Sequence, residues 1–466
     1  MSKDKYPIIE KVRIEDIAAE GKSIARIDGR VLFVPYAVPG DLVDVQLTRK
    51  RKNYMEGYVV RYHEYSPIRV EPFCRHFGTC GGCKWQNLPY AEQLKIKQRQ
   101  VEDQLRRIGR VNFPTVSPIL GSERTTGYRN KLEFTFADRR WFSGDELAKA
   151  DKLPDEPALG YHIPGRFDFV FDVEECFLQP EPSNSVRLAV KNYAADHHIP
   201  FMNLRSHEGT LRNLIVRTSS TGDVMVILSL RQLSSDVEQL LDFMVEKFPQ
   251  VSSFNYVVNA KLNDTINDLE VVCYHGNKYI TEEMEGIKFR VGPKSFYQTN
   301  SEQACVLYGV VREFAGLTGD ELVYDLYTGT GTIANFLAPN ARRVVGMEYI
   351  SEAIADAIEN SKLNGITNTS FFTGDIKDLL TDDFVIHEGN PDVVVLDPPR
   401  AGVHPDVLKA LLKISPLRVV YVSCNPATQA RDIALLDSDY AIKRVQPVDM
   451  FPHTQHVENV VLLERR

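Results

Sequence analysis

An α/β architecture is predicted for this 466-residue chain. It comprises a doubly wound parallel sheet at the C-terminus, a small β-barrel at the N-terminus and a mixed α+β domain between them. Three stretches carry that reading. Val323-Tyr-Asp-Leu-Tyr-Thr-Gly-Thr-Gly-Thr-Ile333 is a strand that breaks into a glycine loop. Val393-Val-Val-Leu-Asp-Pro-Pro-Arg400 is a strand that ends on a carboxylate and two prolines. Val419-Val-Tyr-Val-Ser-Cys-Asn-Pro426 is an apolar run that delivers Cys424 into a polar turn. Open parallel sheets bind ligands outside the carboxyl ends of their strands. The three motifs therefore point into one crevice holding a thiol, a carboxylate and a cofactor loop.

The elements follow in order. Over residues 1–65, short alternating segments around Val12, Ile24, Leu32 and Val43 are separated by Gly, Pro and Asp turns, as in a compact barrel. Arg49-Lys-Arg-Lys52 forms its basic lip. Residues 66–290 make a central domain. Within it, Tyr90 to Ile108 has helical spacing, with Leu94, Val101, Leu105 and Ile108 on one face. Strands are expected at Leu132–Phe136, Leu211–Arg217 and Val224–Leu228, and a polar surface excursion over Asp138 to Pro157. From 291 to 466 strand and helix patterns alternate, as βαβ units require.

Composition limits the partners. With 43% apolar and 25% charged residues the chain reads as globular. It lacks a signal-peptide core and any run able to span a bilayer, so a cytoplasmic protein without membrane contact is expected. Net charge is −8, yet residues 1–150 carry 27 Lys and Arg against 19 Asp and Glu. A basic front on an acidic body suits a localised polyanion contact. Seven cysteines argue against a disulfide framework. Three of them, Cys74, Cys80 and Cys83, crowd into ten residues, which calls for a metal. Spacing alone leaves zinc and iron–sulfur open.

The chemistry lies in the C-terminal part. Glu348, a second strand-end acid 17 residues after Gly331, can accept both ribose hydroxyls of a nucleoside cofactor. Asp375 ends a third strand. The loop has no phosphate-binding lysine, so S-adenosylmethionine fits better than a nucleotide. Asp397-Pro-Pro-Arg400 is similar to the motif with which amino methyltransferases hold a base, but Arg400 stands in the aromatic position, which disfavours amine methylation. Cys424 suits a pyrimidine C5, a poor nucleophile until a thiolate adds at C6. A base must then remove the C5 proton. Glu458, His453 and His456 are the candidates, and the residues alone leave them nearly tied.

Together with Phe296-Tyr-Gln-Thr-Asn300, Ser423-Cys-Asn-Pro426 and His456-Val-Glu458, these motifs resemble the uracil-5 RNA methyltransferases over nearly the whole chain. The resemblance implies a Rossmann-like methyltransferase domain and methylation of a uridine in RNA through a cysteine–C6 adduct. It implies Cys424 as nucleophile, Glu458 as base, and Gln298, Tyr327, Glu348, Asp375 and Asp397 as cofactor contacts. The front is similar to a TRAM-type RNA-binding barrel. Cys74-x5-Cys80-Gly-Gly-Cys83 is similar to the motif of members that hold a [4Fe–4S] cluster, which implies Cys176 as fourth ligand, with zinc the alternative. That subset favours 23S ribosomal RNA over transfer RNA. Gly127-Tyr-Arg-Asn-Lys131 matches the family's central domain and is either an RNA contact or a turn. A cytosine-5 RNA methyltransferase and a non-catalytic RNA-binding protein are the other readings, and no obligate protein partner is implied.

Overall fold

A computed structural model of the chain describes residues 6–143, 146–147 and 156–466. Half of the polar excursion expected over Asp138 to Pro157 lies outside these residues. Among them no helix is long and apolar enough to cross a membrane.

The front sheet contains β1 (Ile8–Arg13), β2 (Asp16–Ile17), β3 (Ser23–Ile27), β4 (Arg30–Val34), β5 (Leu42–Lys50) and β6 (Tyr54–Glu64), in the order β1-β5-β6-β4-β3-β2. Alternate residues point inward, so Val12, Leu32, Val34, Val43 and Val45 close a core of their own. Arg49 and Lys50 end β5, and the basic lip stands at the tip of the β5–β6 hairpin.

Helix α1 (Tyr90–Gln104) follows, continued by a π-turn over Leu105–Gly109. The seven-stranded central sheet contains β7 (Lys131–Ala137), β8 (Ala158–His162), β9 (Val170–Asp172), β10 (Leu211–Thr218), β11 (Val224–Leu230), β12 (Ser253–Val258) and β13 (Val271–Gly276). Helices α2 (Ser183–Asp196) and α3 (Ser235–Lys247) accompany it. Val186, Val190, Leu240 and Met244 pack these helices onto one face. Ile215, Ile227 and Val257 turn the other face toward the C-terminal domain, together with the hairpin of β14 (Ile280–Met284) and β15 (Ile287–Val291).

The C-terminal domain opens with α4 (Ser301–Ala315). Its first half runs β16 (Leu322–Leu326), α5 (Thr332–Leu337), β17 (Arg343–Glu348), α6 (Ser351–Leu363), β18 (Thr369–Thr373), α7 (Ile376–Leu379) and α8 (Asp382–Glu388). The second half runs β19 (Val393–Leu396), α9 (Pro405–Ile414), β20 (Arg418–Ser423), α10 (Pro426–Leu436), β21 (Tyr440–Val448) and β22 (Glu458–Arg465). Sheet order is β18-β17-β16-β19-β20-β22-β21. The first five strands are parallel, and β22 inserts antiparallel between β20 and β21. Both faces are covered, which is why the parallel strands are continuous apolar runs, as in Val393-Val-Val-Leu396. The chain switches direction between β16 and β19, and the crevice opens there.

Helix α1 departs from the expected pattern. Its buried stripe is Gln93, Lys97, Val101 and Leu105, while Ile108 is exposed. Val101 and Leu105 join the core of the C-terminal domain rather than that of the central one. The reason is a buried ion pair. Lys97 Nζ lies 2.5 Å from Asp449 Oδ1, both side chains fully buried, and also donates to the Phe451 carbonyl at 3.0 Å. Tyr90 Oη donates to the other Asp449 oxygen at 2.8 Å. A lysine reads as surface in sequence; only a carboxylate far along the chain lets it be buried.

Lys97→Met alone strands Asp449 without its partner, and unfolding measurements should show a loss of about 3–5 kcal/mol. The double variant Lys97→Met/Asp449→Leu should recover much of it.

Candidate active site

The glycine loop after β16 is built from left-handed backbone. Tyr327, Gly329 and Gly331 have φ of 67°, 56° and 73°. A Cβ on Gly331 would stand 2.7 Å from Ala357 Cβ of α6, whereas one on Gly329 would meet nothing within 4 Å. Glu348 at the end of β17 anchors the loop. Its carboxylate accepts from Gly329 N at 3.2 Å and Ile350 N at 3.1 Å. Thr328 N donates to Met347 O at 3.0 Å. Asp325 is fully buried, accepts from the Thr328 hydroxyl, and has its other oxygen unpartnered. Burial pushes its carboxyl up to about 7.

Asp397 follows β19, and burial pushes it likewise up to about 7. Cys424 lies between β20 and α10. Asn425 caps that helix and its side-chain amide donates to the Arg400 carbonyl at 3.1 Å, tying the cysteine turn to the Pro398-Pro399 turn. The base side is set by strand pairing. Antiparallel register places Ser423 opposite Asn459. One residue further along, Cys424 comes beside Glu458, the first residue of β22. Burial pushes the Cys424 thiol up to about 11, with the Glu458 and Asp397 charges adding and Arg400 opposing. Burial pushes Glu458 up to about 8, helped by Asp397 and opposed by Arg400. Arg400 donates to His456 Nδ1 at 3.0 Å.

A cavity of about 2020 Å³ unites these groups. Gln298, Tyr327, Glu348, Asp397, Cys424 and Glu458 all line it. Asp375 is not among the lining residues. It caps α7, and its carboxylate is engaged by Lys377 N at 3.3 Å and Lys377 Nζ at 2.8 Å. The three candidate bases separate. His453 is buried against α1, with its Nδ1 3.2 Å from Gln93 Nε2, and His456 is held by Arg400; Glu458 faces the cysteine.

Cys74, Cys80, Cys83 and Cys176 stand on another wall of the same cavity, as free thiols. Burial raises Cys74 and Cys80 and pushes Cys83 up to about 12, and mutual repulsion among the thiols adds to each. Tyr161 Oη donates to Cys176 Sγ at 3.8 Å. Among the described residues no group of three or more His, Cys, Asp or Glu is arranged to hold a single metal ion.

The Gly127–Lys131 motif is in part a brace. Asn130 Nδ2 donates to Gln298 O and Ser301 Oγ, each at 2.8 Å, while Arg129 and Lys131 face the cavity. Arg217 was not expected to matter. It is buried, and its guanidinium donates to Gly292 O at 2.6 Å and Ser295 O at 2.8 Å, holding the segment that leads to Gln298. A lone arginine in a strand carries no signal of that role.

A glycine loop at the switch point, a cysteine and a desolvated glutamate in one crevice, and a small β domain in front define a group-transfer enzyme with an accessory binding domain. Comparison with known proteins agrees. Residues 274–466 match the tRNA (Uracil-5-)-methyltransferase family and residues 9–60 the TRAM domain. An uncharacterized RNA methyltransferase of Bacteroides thetaiotaomicron is 58% identical, covering 97% of this chain and all of that one. Another, from Halalkalibacterium halodurans, is 39% identical over 100% of this chain and 99% of its own. The crystal structure of Pyrococcus abyssi tRNA (uracil-54, C5)-methyltransferase, in complex with S-adenosyl-L-homocysteine, superposes with a TM-score of 0.75. Its identity is 27%, over 98% of this chain and all of that one. The chain belongs to the RNA methyltransferase family of these relatives, with a uracil-5-methyltransferase domain behind a TRAM domain.

Gly331→Ala should lower stability by about 1–3 kcal/mol, since strain and the contact with Ala357 combine. Gly329→Ala should cost about 1–2 kcal/mol from backbone strain alone. Thermal unfolding of the two side by side checks the order.

Proposed function

We propose that this enzyme methylates C5 of a uridine in RNA through a covalent adduct between Cys424 and C6 of the base. The observation that carries it is the β20–β22 register, which sets a thiol beside a desolvated glutamate at the mouth of a cofactor loop. S-adenosylmethionine, when bound, supplies an electrophilic methyl group; the loop at Tyr327 to Gly331, Glu348, Asp397 and Gln298 are the residues that would hold it. Phe296, 68% exposed and lining the cavity, offers a ring face on which a flipped base can stack.

Cys424 gives up its proton to solvent water, and its sulfur forms a bond to C6. The C5–C6 π pair moves to C5 and, by conjugation, to O4. C5 attacks the methyl carbon in line, and the bond from that carbon to the sulfonium breaks with its pair left on sulfur, so that a neutral thioether would depart. Glu458 accepts the C5 proton, the C5–H pair re-forms the double bond, and the C6–S bond breaks to return the thiolate. The site needs an ionised glutamate for that step.

RNA identity rests on two supports. The four-cysteine motif favours 23S ribosomal RNA, and the name of the Pyrococcus enzyme favours transfer RNA. The four cysteines line one cavity, and four thiolates are the donor set that a [4Fe–4S] cluster takes. Cys74, Cys80, Cys83 and Cys176 would hold it, joining the 74–83 segment to Cys176 next to the cavity. No step of methyl transfer passes through it.

With methyl-labelled S-adenosylmethionine and size-separated RNA from cells lacking the enzyme, nucleoside mass spectrometry should find the label in 5-methyluridine. The size fraction names the RNA, and label in 5-methylcytidine alone refutes the proposal. Cys424→Ala should lose at least about 10⁴-fold in rate while still binding RNA. Glu458→Gln should accumulate a methylated protein–RNA adduct that denaturing gels resolve. Because a raised carboxyl is a base only once ionised, kcat should rise with pH and level off above about 8. A profile flat from pH 6 to 9 speaks against Glu458 as the base.

A further inference from the structure

The cavity wall beside Glu458 contains one group that the reaction above does not use. His456 lies two residues before Glu458 and lines the same cavity. Its Nδ1 is 3.0 Å from an Arg400 guanidinium nitrogen. A guanidinium has only donors, so Nδ1 must be the acceptor and the ring proton must sit on Nε2. The ring is held to one tautomer by the Arg400 hydrogen bond. Nε2 has no hydrogen-bond partner among the described residues. Burial, with the Arg400 charge, pushes His456 down to about 4, so the ring is neutral in the working range. The result is a fixed N–H donor on a residue of the cavity wall, backed by a cation.

The ring of the base has to be oriented with C6 toward Cys424 and C5 toward Glu458. C4 is the next atom past C5, on the Glu458 side. Uracil carries an acceptor there, O4, whereas cytosine carries an amino donor. A donor that cannot reverse its polarity accepts the first and opposes the second.

We propose that His456 is the specificity-determining residue of this site. Its Nε2–H, fixed by Arg400, hydrogen-bonds O4 of the target uracil and excludes cytosine. This rests on the uridine C5 reading above. The same bond strengthens when Cys424 adds, because O4 then takes enolate charge, so His456 contributes to rate as well as to choice. Arg400 acts through His456 and is a positioning residue.

The test uses full-length enzyme and a synthetic oligoribonucleotide spanning the position that the wild-type enzyme labels. It is made with uridine, 4-thiouridine, 2-thiouridine or cytidine at that position. For the wild type, 4-thiouridine should lower kcat/KM about 10-fold or more, since sulfur is a weak acceptor, and 2-thiouridine should change it little. His456→Phe should lower kcat/KM on uridine about 10- to 100-fold, and 4-thiouridine should then cost less than about 2-fold more. His456→Gln, whose amide can both donate and accept, should keep most activity on uridine and form adduct with cytidine RNA. Thermal unfolding of both variants separates a folding defect from a lost contact.

Equal 4-thiouridine penalties in wild type and His456→Phe would overturn the assignment, as would a penalty at 2-thiouridine instead. Undiminished rejection of cytidine by a folded, active His456→Gln would do the same. If the wild type makes no 5-methyluridine in any RNA, the underlying reading has failed and this inference falls with it.

Discussion

The antiparallel pairing of β20 with β22 is the constraint on which the site depends. β20 arrives by a βαβ crossover and ends at Ser423, whereas β22 returns from the far edge of the sheet and begins at Glu458. Opposed directions bring the end of one strand to the start of the other. Ser423 opposite Asn459 fixes the register, and a slip by one residue would turn Glu458 to the other face of the sheet. Cys424 and Glu458, the proposed nucleophile and base, therefore come together through main-chain hydrogen bonds within the sheet. Gln429 on α10 reinforces them, donating to the carbonyls of Tyr421 at 2.8 Å and Asn459 at 3.1 Å.

Burial then sets the chemistry. Asp325, Asp397 and Glu458 share one poorly hydrated region, and Arg400 is the cation that opposes the shifts at Glu458 and Cys424. Desolvation is the largest cause at each of the three acids, and neighbouring groups adjust it at Asp325 and Glu458. Such a site resists holding several negative charges together, so each ionisation raises the cost of the next. Burial, with the Glu458 and Asp397 charges, favours the protonated form of the Cys424 thiol, pushed up to about 11.

The front half of the protein is built into this arrangement rather than tethered to it. Lys84 N and Trp85 N both donate to the His453 carbonyl, at 2.8 and 3.1 Å, directly after the cysteine segment. Gln93 accepts from His453 N at 2.9 Å, Tyr128 Oη donates to Pro452 O at 3.1 Å, and Asn300 donates to Met450 O at 2.9 Å. With Lys97 and Tyr90 on Asp449, these bonds hold the segment from 449 to 454 from several sides. That segment leads into His456 and Glu458. Cys83, Cys176 and Phe451 belong to one small apolar cluster, which packs the cysteine segment against the 449–454 segment.

The sequence by itself determined the parts whose signal is local. Alternation around Val43, the apolar run Val393–Leu396 and the left-handed demands of Gly329 and Gly331 specify barrel strands, a parallel sheet and a cofactor loop, because period, burial and φ are properties of neighbouring residues. The motifs around Cys424, Asp397 and Glu458 were legible for the same reason. Tertiary structure decided what depends on distant partners. Lys97 is a core residue only because Asp449 meets it. Asp375 caps a helix and pairs with Lys377. Glu458 was separated from His453 and His456 by strand register and by the bonds of Gln93 and Arg400. Desolvation and long-range pairing belong to the folded chain, and no residue's own identity encodes them.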